Sequence, residues 1–364
     1  MVEKKWQETL ELSGLRLPKT LTIAITGACN LTCKHCWVAA GEGGSAGHVA
    51  TETVSRLIKE FADLGGEGVR LTGGEPLCHP DWLPLLRLAV ASGFSSVILQ
   101  TNGMLFDDQK AAALRELDFP GLVLQLSFDG ATAATHDLVR GAGAFDSLMQ
   151  GVHRLLAEGL GQRIAIFFTE MRHNLQEIPQ LLELADALGI GSVATGTLVP
   201  CGRAAEDELA AAPEPAQYLR LLDRYHADPA FRSVYKRIGK VAALEWRSGG
   251  AARAESCSFV ENPYLTAEGR LYPCVLCHAD PYSVCGVFDK PLPTALVEGA
   301  GLWSSLLEAS KCRSHQIPQC RECPESLSCA GGCLGRAWGS CGEIMAADDR
   351  CRTRLAITHG QGPL

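Results

Sequence analysis

Leu21-Thr22-Ile23-Ala24-Ile25-Thr26-Gly27-Ala28-Cys29-Asn30-Leu31-Thr32-Cys33-Lys34-His35-Cys36 carries an apolar, β-branched run straight into three cysteines spaced C-x3-C-x2-C. The apolar run reads as a strand and the cysteines as the loop leaving its C-terminal end. Three soft thiolates in one loop suit three irons of a 4Fe-4S cluster and leave the fourth iron open to a small molecule.

Beyond this stretch, strand-like and helix-like patterns alternate at βα spacing. Strands are predicted at 21–25, 68–72, 96–100, 122–128, 164–168 and 192–197, and helices at 51–64, 81–92, 107–117, 145–158 and 175–188. Six such units predict an α/β fold, with a parallel sheet curved into a partial (β/α)6 TIM-like barrel and a site at the C-terminal strand ends. Gly73-Gly74-Glu75-Pro76 falls at one such end. Its glycines permit close backbone approach, and its glutamate brings a negative charge. The predicted division is a barrel over 1–200, a linker over 201–253 and a cysteine-rich module over 254–364. The linker is rich in Ala and charge and holds Pro213 and Pro215, which predicts a turn followed by one or two bridging helices.

The 364 residues are 46% hydrophobic, enough for a barrel and a smaller module. A net charge of -8 argues against nucleic acid and anionic membranes as partners. Met1-Val2-Glu3-Lys4-Lys5-Trp6-Gln7 contains no apolar signal core. No run approaches the roughly 20 apolar residues that span a bilayer, so a cytoplasmic location is expected. The sixteen cysteines therefore read as metal ligands rather than as a disulfide framework. Structural zinc is the competing metal, but two C-x2-C pairs at zinc-ribbon spacing are not present.

In its first half the sequence resembles the radical S-adenosylmethionine (SAM) superfamily, on Cys29, Cys33 and Cys36 and on four further segments. The resemblance implies that the three cysteines hold a 4Fe-4S cluster whose open iron chelates SAM. It also implies that Gly73, Gly74, Glu75 and Pro76 bind the SAM ammonium. Thr101-Asn102-Gly103 and Ser127-Phe128-Asp129-Gly130 match pocket-lining segments, which makes Asn102, Ser127 and Asp129 cofactor-binding candidates. His136-Asp137-Leu138-Val139-Arg140-Gly141 with Phe145-Asp146 is similar to a stretch of the peptide-modifying branch, where the arginine meets the SAM carboxylate or an acidic partner. The segment Leu198-Val199-Pro200-Cys201-Gly202-Arg203-Ala204 resembles another element of that branch.

The second half resembles the seven-cysteine SPASM pattern. It runs Cys257-x11-Gly269-x4-Cys274, then Cys320-x2-Cys323-x5-Cys329-x3-Cys333, then Cys351. The resemblance implies two auxiliary 4Fe-4S clusters, one on Cys257, Cys274 and Cys333 and the other on Cys320, Cys323, Cys329 and Cys351. The first then has either an open iron or a fourth thiolate, for which Cys277 and Cys285 are nearest in sequence. Cys201, Cys312 and Cys341 read as buried small thiols, and Cys78 as packing or as a weak catalytic candidate.

The activity so implied is reductive cleavage of SAM to a 5′-deoxyadenosyl radical that modifies a substrate. A ribosomally made peptide or protein is the first choice, by side-chain oxidation or cross-linking. A cofactor- or tetrapyrrole-maturing enzyme is the alternative. A sulfatase-maturating enzyme is disfavoured because the aspartate expected after the Gly-x4-Cys cysteine is Val275 here. A non-catalytic electron-transfer or scaffold protein is disfavoured by the intact cysteine triad. A flavodoxin or ferredoxin is expected as electron donor. The roughly 20 residues before the first strand are too few for a leader-binding module, so a separate recognition partner is one expectation.

Overall fold

The computed structural model describes residues 5–41, 47–247 and 257–359. Nine strands occur among them: β1 (Thr20–Thr26), β2 (Gly68–Gly73), β3 (Ser96–Thr101), β4 (Leu122–Phe128), β5 (Ile164–Glu170), β6 (Ser192–Thr197), β7 (Gly239–Lys240), β8 (Tyr264–Leu265) and β9 (Leu271–Tyr272). The first six match the predicted strands to within two residues at either end. Apolar runs bounded by glycine and turn residues mark strand ends sharply.

The chain groups into two compact units. One comprises Met1–Ala28, Gly44–Ile98 and Ala252–Cys351, and the other Cys29–Gly43, Leu99–Ala251 and Arg352–Leu364. In the first unit the strand order is β2-β1-β8-β9, with β1 parallel to both neighbours and β9 antiparallel to β8. Helix Thr51–Asp63 packs on helix Trp82–Ala91 and on the long helix Leu292–Gln316. Arg56 on the first of these donates to the carbonyls of Val287, Phe288 and Lys290, and Glu60 accepts from Leu292 N–H at the start of the long helix. The C-terminal segment is thereby fastened to this helix by charge-assisted bonds to its backbone.

In the second unit β4, β5, β6 and β7 follow one another, all parallel. Burial alternates strictly along β4 and β5. Leu122, Leu124, Leu126, Phe128, Ile164, Ile166 and Phe168 are fully covered. The opposite face carries Gln125, Ser127, Phe167 and Thr169, all half-buried, and is the face a ligand can reach.

The linker is more structured than its composition predicts. A turn at Gly202–Ala205 precedes helices Pro215–Ala227, Pro229–Ile238 and Ala242–Arg247, and β7 between the last two pairs with β6. The first two helices have legible starts, with proline at the first helical position and Glu214 and Asp228 as caps. The two-residue strand and the six-residue helix have no such signal. The predicted boundary at 253/254 lies outside the described residues. Helices Lys5–Leu12 and Ala133–Arg140 were also not predicted. No helix among the described residues is long and apolar enough to cross a membrane.

Gly73 has a φ of +145°, and a Cβ there would lie 2.2 Å from Thr26 O. Gly65 has a φ of +81° with open space around it. Gly73→Ala is expected to cost about 3 kcal/mol or more, combining backbone strain with overpacking, and Gly65→Ala about 1 kcal/mol from strain alone. Denaturant midpoints of the two variants measure the difference.

Candidate functional site

The cysteine loop is anchored by its own backbone and by three other segments of its unit. Cys36 N–H donates to Cys33 O at 3.2 Å, closing a turn between the last two cysteines. Lys34 N–H donates to Val139 O at 2.8 Å. Asn102 Nδ2 donates to Asn30 Oδ1 at 2.8 Å, while its own Oδ1 accepts from Met104 N–H. Arg203 makes the most contacts, donating from Nε to Cys33 O at 2.8 Å, from Nη2 to Ala40 O at 2.6 Å and from its backbone N–H to Cys36 O at 3.0 Å. Gly202 beside it has a φ of +57°, and a Cβ there would meet Trp37 O at 2.5 Å, so only glycine lets this segment lie so close.

Beneath the loop sits a buried charged network. Asp129, at 0% exposure, lies 2.6 Å through Oδ2 from Arg140 Nε and 3.1 Å from His35 Nε2. Its other oxygen accepts from Thr169 N–H at 3.0 Å. Burial pushes the Asp129 carboxyl up, but Arg140 and His35 outweigh it and hold it well below the usual carboxylate range. Burial also raises the Cys33 thiol, while the Arg140 cation pulls the other way. Arg140 is thus placed to offset thiolate charge at Cys33. The neighbouring motif residues serve the same local structure. His136 accepts from Asp129 N–H and contacts the rings of Phe128 and Phe145, and Asp137 caps the next helix through Gly143 and Phe145 N–H.

In the other unit, Gly73 and Gly74 approach protein backbone. A Cβ on Gly74 would lie 2.3 Å from Ala28 O. Gly74 and Glu75 N–H donate to Thr26 O and Ala28 O, each at 2.8 Å, bracing the residues that lead into the first cysteine. Glu75 is completely buried, and its Oε1 accepts from Leu77 N–H at 3.1 Å, capping the turn Pro76–Cys78. Cys78 is half-buried at the end of that turn. Ser127 lies on the half-buried face of β4.

The C-terminal cysteines fall into two sets. Burial, then Cys277, Cys333 and Cys257 in that order, raise the Cys274 thiol well above its ordinary value. Burial, then Cys351, Cys329 and Cys323, raise that of Cys320. Cys277, Cys333 and Cys257 are thus the thiols that act electrostatically on Cys274, and Cys351, Cys329 and Cys323 those that act on Cys320. Thiols so crowded resist ionisation unless a cation takes their charge. No group of three or more His, Cys, Asp or Glu among the described residues converges around one metal ion. A cubane puts each thiolate on a different iron, so its ligands do not meet at one point.

Sequence reasoning missed the roles of Arg203 and of the Asp129 carboxylate. Arg203 acts on backbone carbonyls, which leave no mark in a sequence, although Gly202-Arg203 stood out as a motif.

Comparison with known proteins gives consistent results. The profile of the Radical SAM superfamily matches residues 23–185. An AdoMet-dependent heme synthase of Methanosarcina barkeri is 28% identical over 353 residues, covering 92% of this chain and 96% of its own. A mycofactocin maturase, MftC of Mycobacterium ulcerans, is 29% identical over 348 residues, covering 93% and 89%. Among solved structures, anSMEcpe with bound AdoMet superposes with a TM-score of 0.71 at 18% identity, over 93% of this chain and 96% of that one. Streptococcus suis SuiB bound to its precursor peptide SuiA gives 0.73 at 16%, over 96% and 79%. These likenesses establish the fold as a partial (β/α)6 barrel with a cysteine-rich C-terminal region.

Arg203→Ala is expected to release the cysteine loop and lower iron retention after gel filtration by up to about four atoms per chain, with Arg203→Lys intermediate because it lacks the fork. Burial and Arg140 bring the His136 imidazole down to about 4. An unfolded histidine takes up its proton near 6.5. Between those values the unfolded chain binds a proton that the folded chain does not, so stability falls as pH falls. The expected loss at this residue is about 2 kcal/mol between pH 6.5 and pH 5. Denaturant midpoints across that range should be flatter in His136→Asn.

Proposed function

We propose that the chain is an enzyme of the radical SAM superfamily, whose profile matches residues 23–185, and that it cleaves SAM reductively to modify a peptide or protein substrate. The observation that carries this reading is the anchoring of the C-x3-C-x2-C loop by Asn102, Val139 and Arg203, with the Asp129–Arg140 pair beneath it. Bound there, a 4Fe-4S cluster would pass an electron to SAM and yield methionine and a 5′-deoxyadenosyl radical able to take hydrogen from substrate.

In this reading Cys29, Cys33 and Cys36 hold the cluster, and Arg140 offsets part of their charge. Gly73, Gly74, Glu75 and Pro76 are the residues for the SAM ammonium, and Asn102 and Ser127 are further cofactor-binding residues. Asp129 acts through Arg140 and His35 rather than on the ligand directly, because its oxygens are already engaged. Cys257, Cys274 and Cys333 serve one auxiliary cluster and Cys320, Cys323, Cys329 and Cys351 another. Residues 1–200, 201–253 and 254–364 are the SAM barrel, connector and auxiliary-cluster module. The location is cytoplasmic, the electron donor a flavodoxin or ferredoxin, and leader recognition falls to this chain's own surface or to a separate partner.

A peptide substrate is supported by the likeness to a mycofactocin maturase and by the fold shared with a peptide-bound enzyme. A tetrapyrrole is the second reading, favoured by similarity to a heme synthase over 92% of the chain. Deoxyadenosine formation stimulated by an iron tetrapyrrole and by no precursor peptide encoded beside the gene would select the second.

Replacing Cys29, Cys33 and Cys36 together by Ala is expected to remove about four irons and abolish deoxyadenosine formation while leaving the remaining iron in place. Glu75→Gln keeps an acceptor for Leu77 N–H and removes the charge. It should leave iron unchanged and weaken SAM binding about tenfold or more, the scale of one charge-assisted bond. Equilibrium dialysis with labelled SAM reads the change.

A further inference from the structure

We propose that Cys277 is the fourth protein ligand of the first auxiliary cluster, which is thereby closed and offers no iron for substrate to bind. The proposal rests on the reading that the C-terminal cysteines hold clusters, and it removes one of the two alternatives the sequence leaves.

Cys274-Val275-Leu276-Cys277 is a tight turn in which Cys277 N–H donates to Cys274 O at 3.2 Å. Each sulfur receives a backbone N–H from two residues on, Leu276 for Cys274 and Ala279 for Cys277. Cys277 is fully buried. The thiols of Cys333 and Cys257 act electrostatically on that of Cys277, as those of Cys277, Cys333 and Cys257 do on that of Cys274.

Two further contacts bring the distant ligands to this turn. Gly335 opens the helix that follows Cys333, and a Cβ on it would lie 2.3 Å from Leu276 O and 2.9 Å from Cys277 Cα. The helix start therefore rests directly on the Cys274–Cys277 turn. Val260 N–H donates to Pro273 O at 2.9 Å, and Asn262 bridges to Cys274, which fixes the segment leaving Cys257 alongside. Cys285 stands apart. It is exposed, and its sulfur accepts from Arg270 Nη1 at 3.4 Å.

The experiment uses the full chain with Cys29, Cys33 and Cys36 replaced by Ala, so that all iron belongs to the C-terminal cysteines. After anaerobic reconstitution, iron, sulfide and zinc are counted, and the dithionite-reduced EPR spectrum is recorded with and without cyanide as an added ligand. The parent should hold about eight irons and give a spectrum indifferent to cyanide. Cys277→Ser, which keeps the buried volume, and Cys277→Ala should each either lose about four irons or retain them with a spectrum that cyanide shifts. Cys285→Ala should match the parent. Cys277 variants that match the parent, a parent spectrum already shifted by cyanide, or iron loss in Cys285→Ala would overturn the assignment. A parent that binds zinc or no metal would defeat the underlying cluster reading, and is distinguished because the parent itself then fails.

Discussion

A carboxylate with no exposure to water, Asp129, organises the charge around the cysteine loop. A guanidinium buried without compensation costs several kcal/mol, and removing one partner of such a pair costs about 3–5 kcal/mol. Asp129 allows Arg140 to remain charged in the interior, and Arg140 faces the thiol of Cys33. The pair also binds secondary structure together, because Asp129 ends the fourth βα unit's strand segment, Arg140 closes the next helix, and Thr169 on β5 donates to the second carboxylate oxygen. The electrostatic device and the scaffold are the same residues.

Close backbone approach is the second constraint. Gly74 lets the turn after β2 lie on the carbonyls that lead toward the cysteines, and Gly202 lets the segment after β6 lie on Trp37 and Cys36. Arg203 then spends its donors on carbonyls of the loop rather than on a carboxylate. These bonds are made to the loop's backbone and not to its cysteine side chains.

Much of this was legible in the sequence because it is local. The six strands follow from apolar runs bounded by turn residues. Other features depend on contacts between distant segments. The glycines at 73 and 74 read as room for a ligand, but the atoms a side chain would strike are Thr26 O and Ala28 O. Asp129 read as a residue facing the pocket, yet its partners are Arg140, His35 and Thr169. The helix Ala133–Arg140 was missed because eight residues give too few apolar turns to establish a period, and β7 because two residues establish none.

The central claim is that this chain assembles an iron–sulfur site that cleaves SAM. Its most direct test is anaerobic reconstitution of the wild-type chain, with iron and sulfide counted and 5′-deoxyadenosine assayed in the same sample after adding SAM and a strong reductant. About twelve irons per chain together with deoxyadenosine formation is the predicted result. Zinc in place of iron, or iron bound with no deoxyadenosine formed, would contradict it.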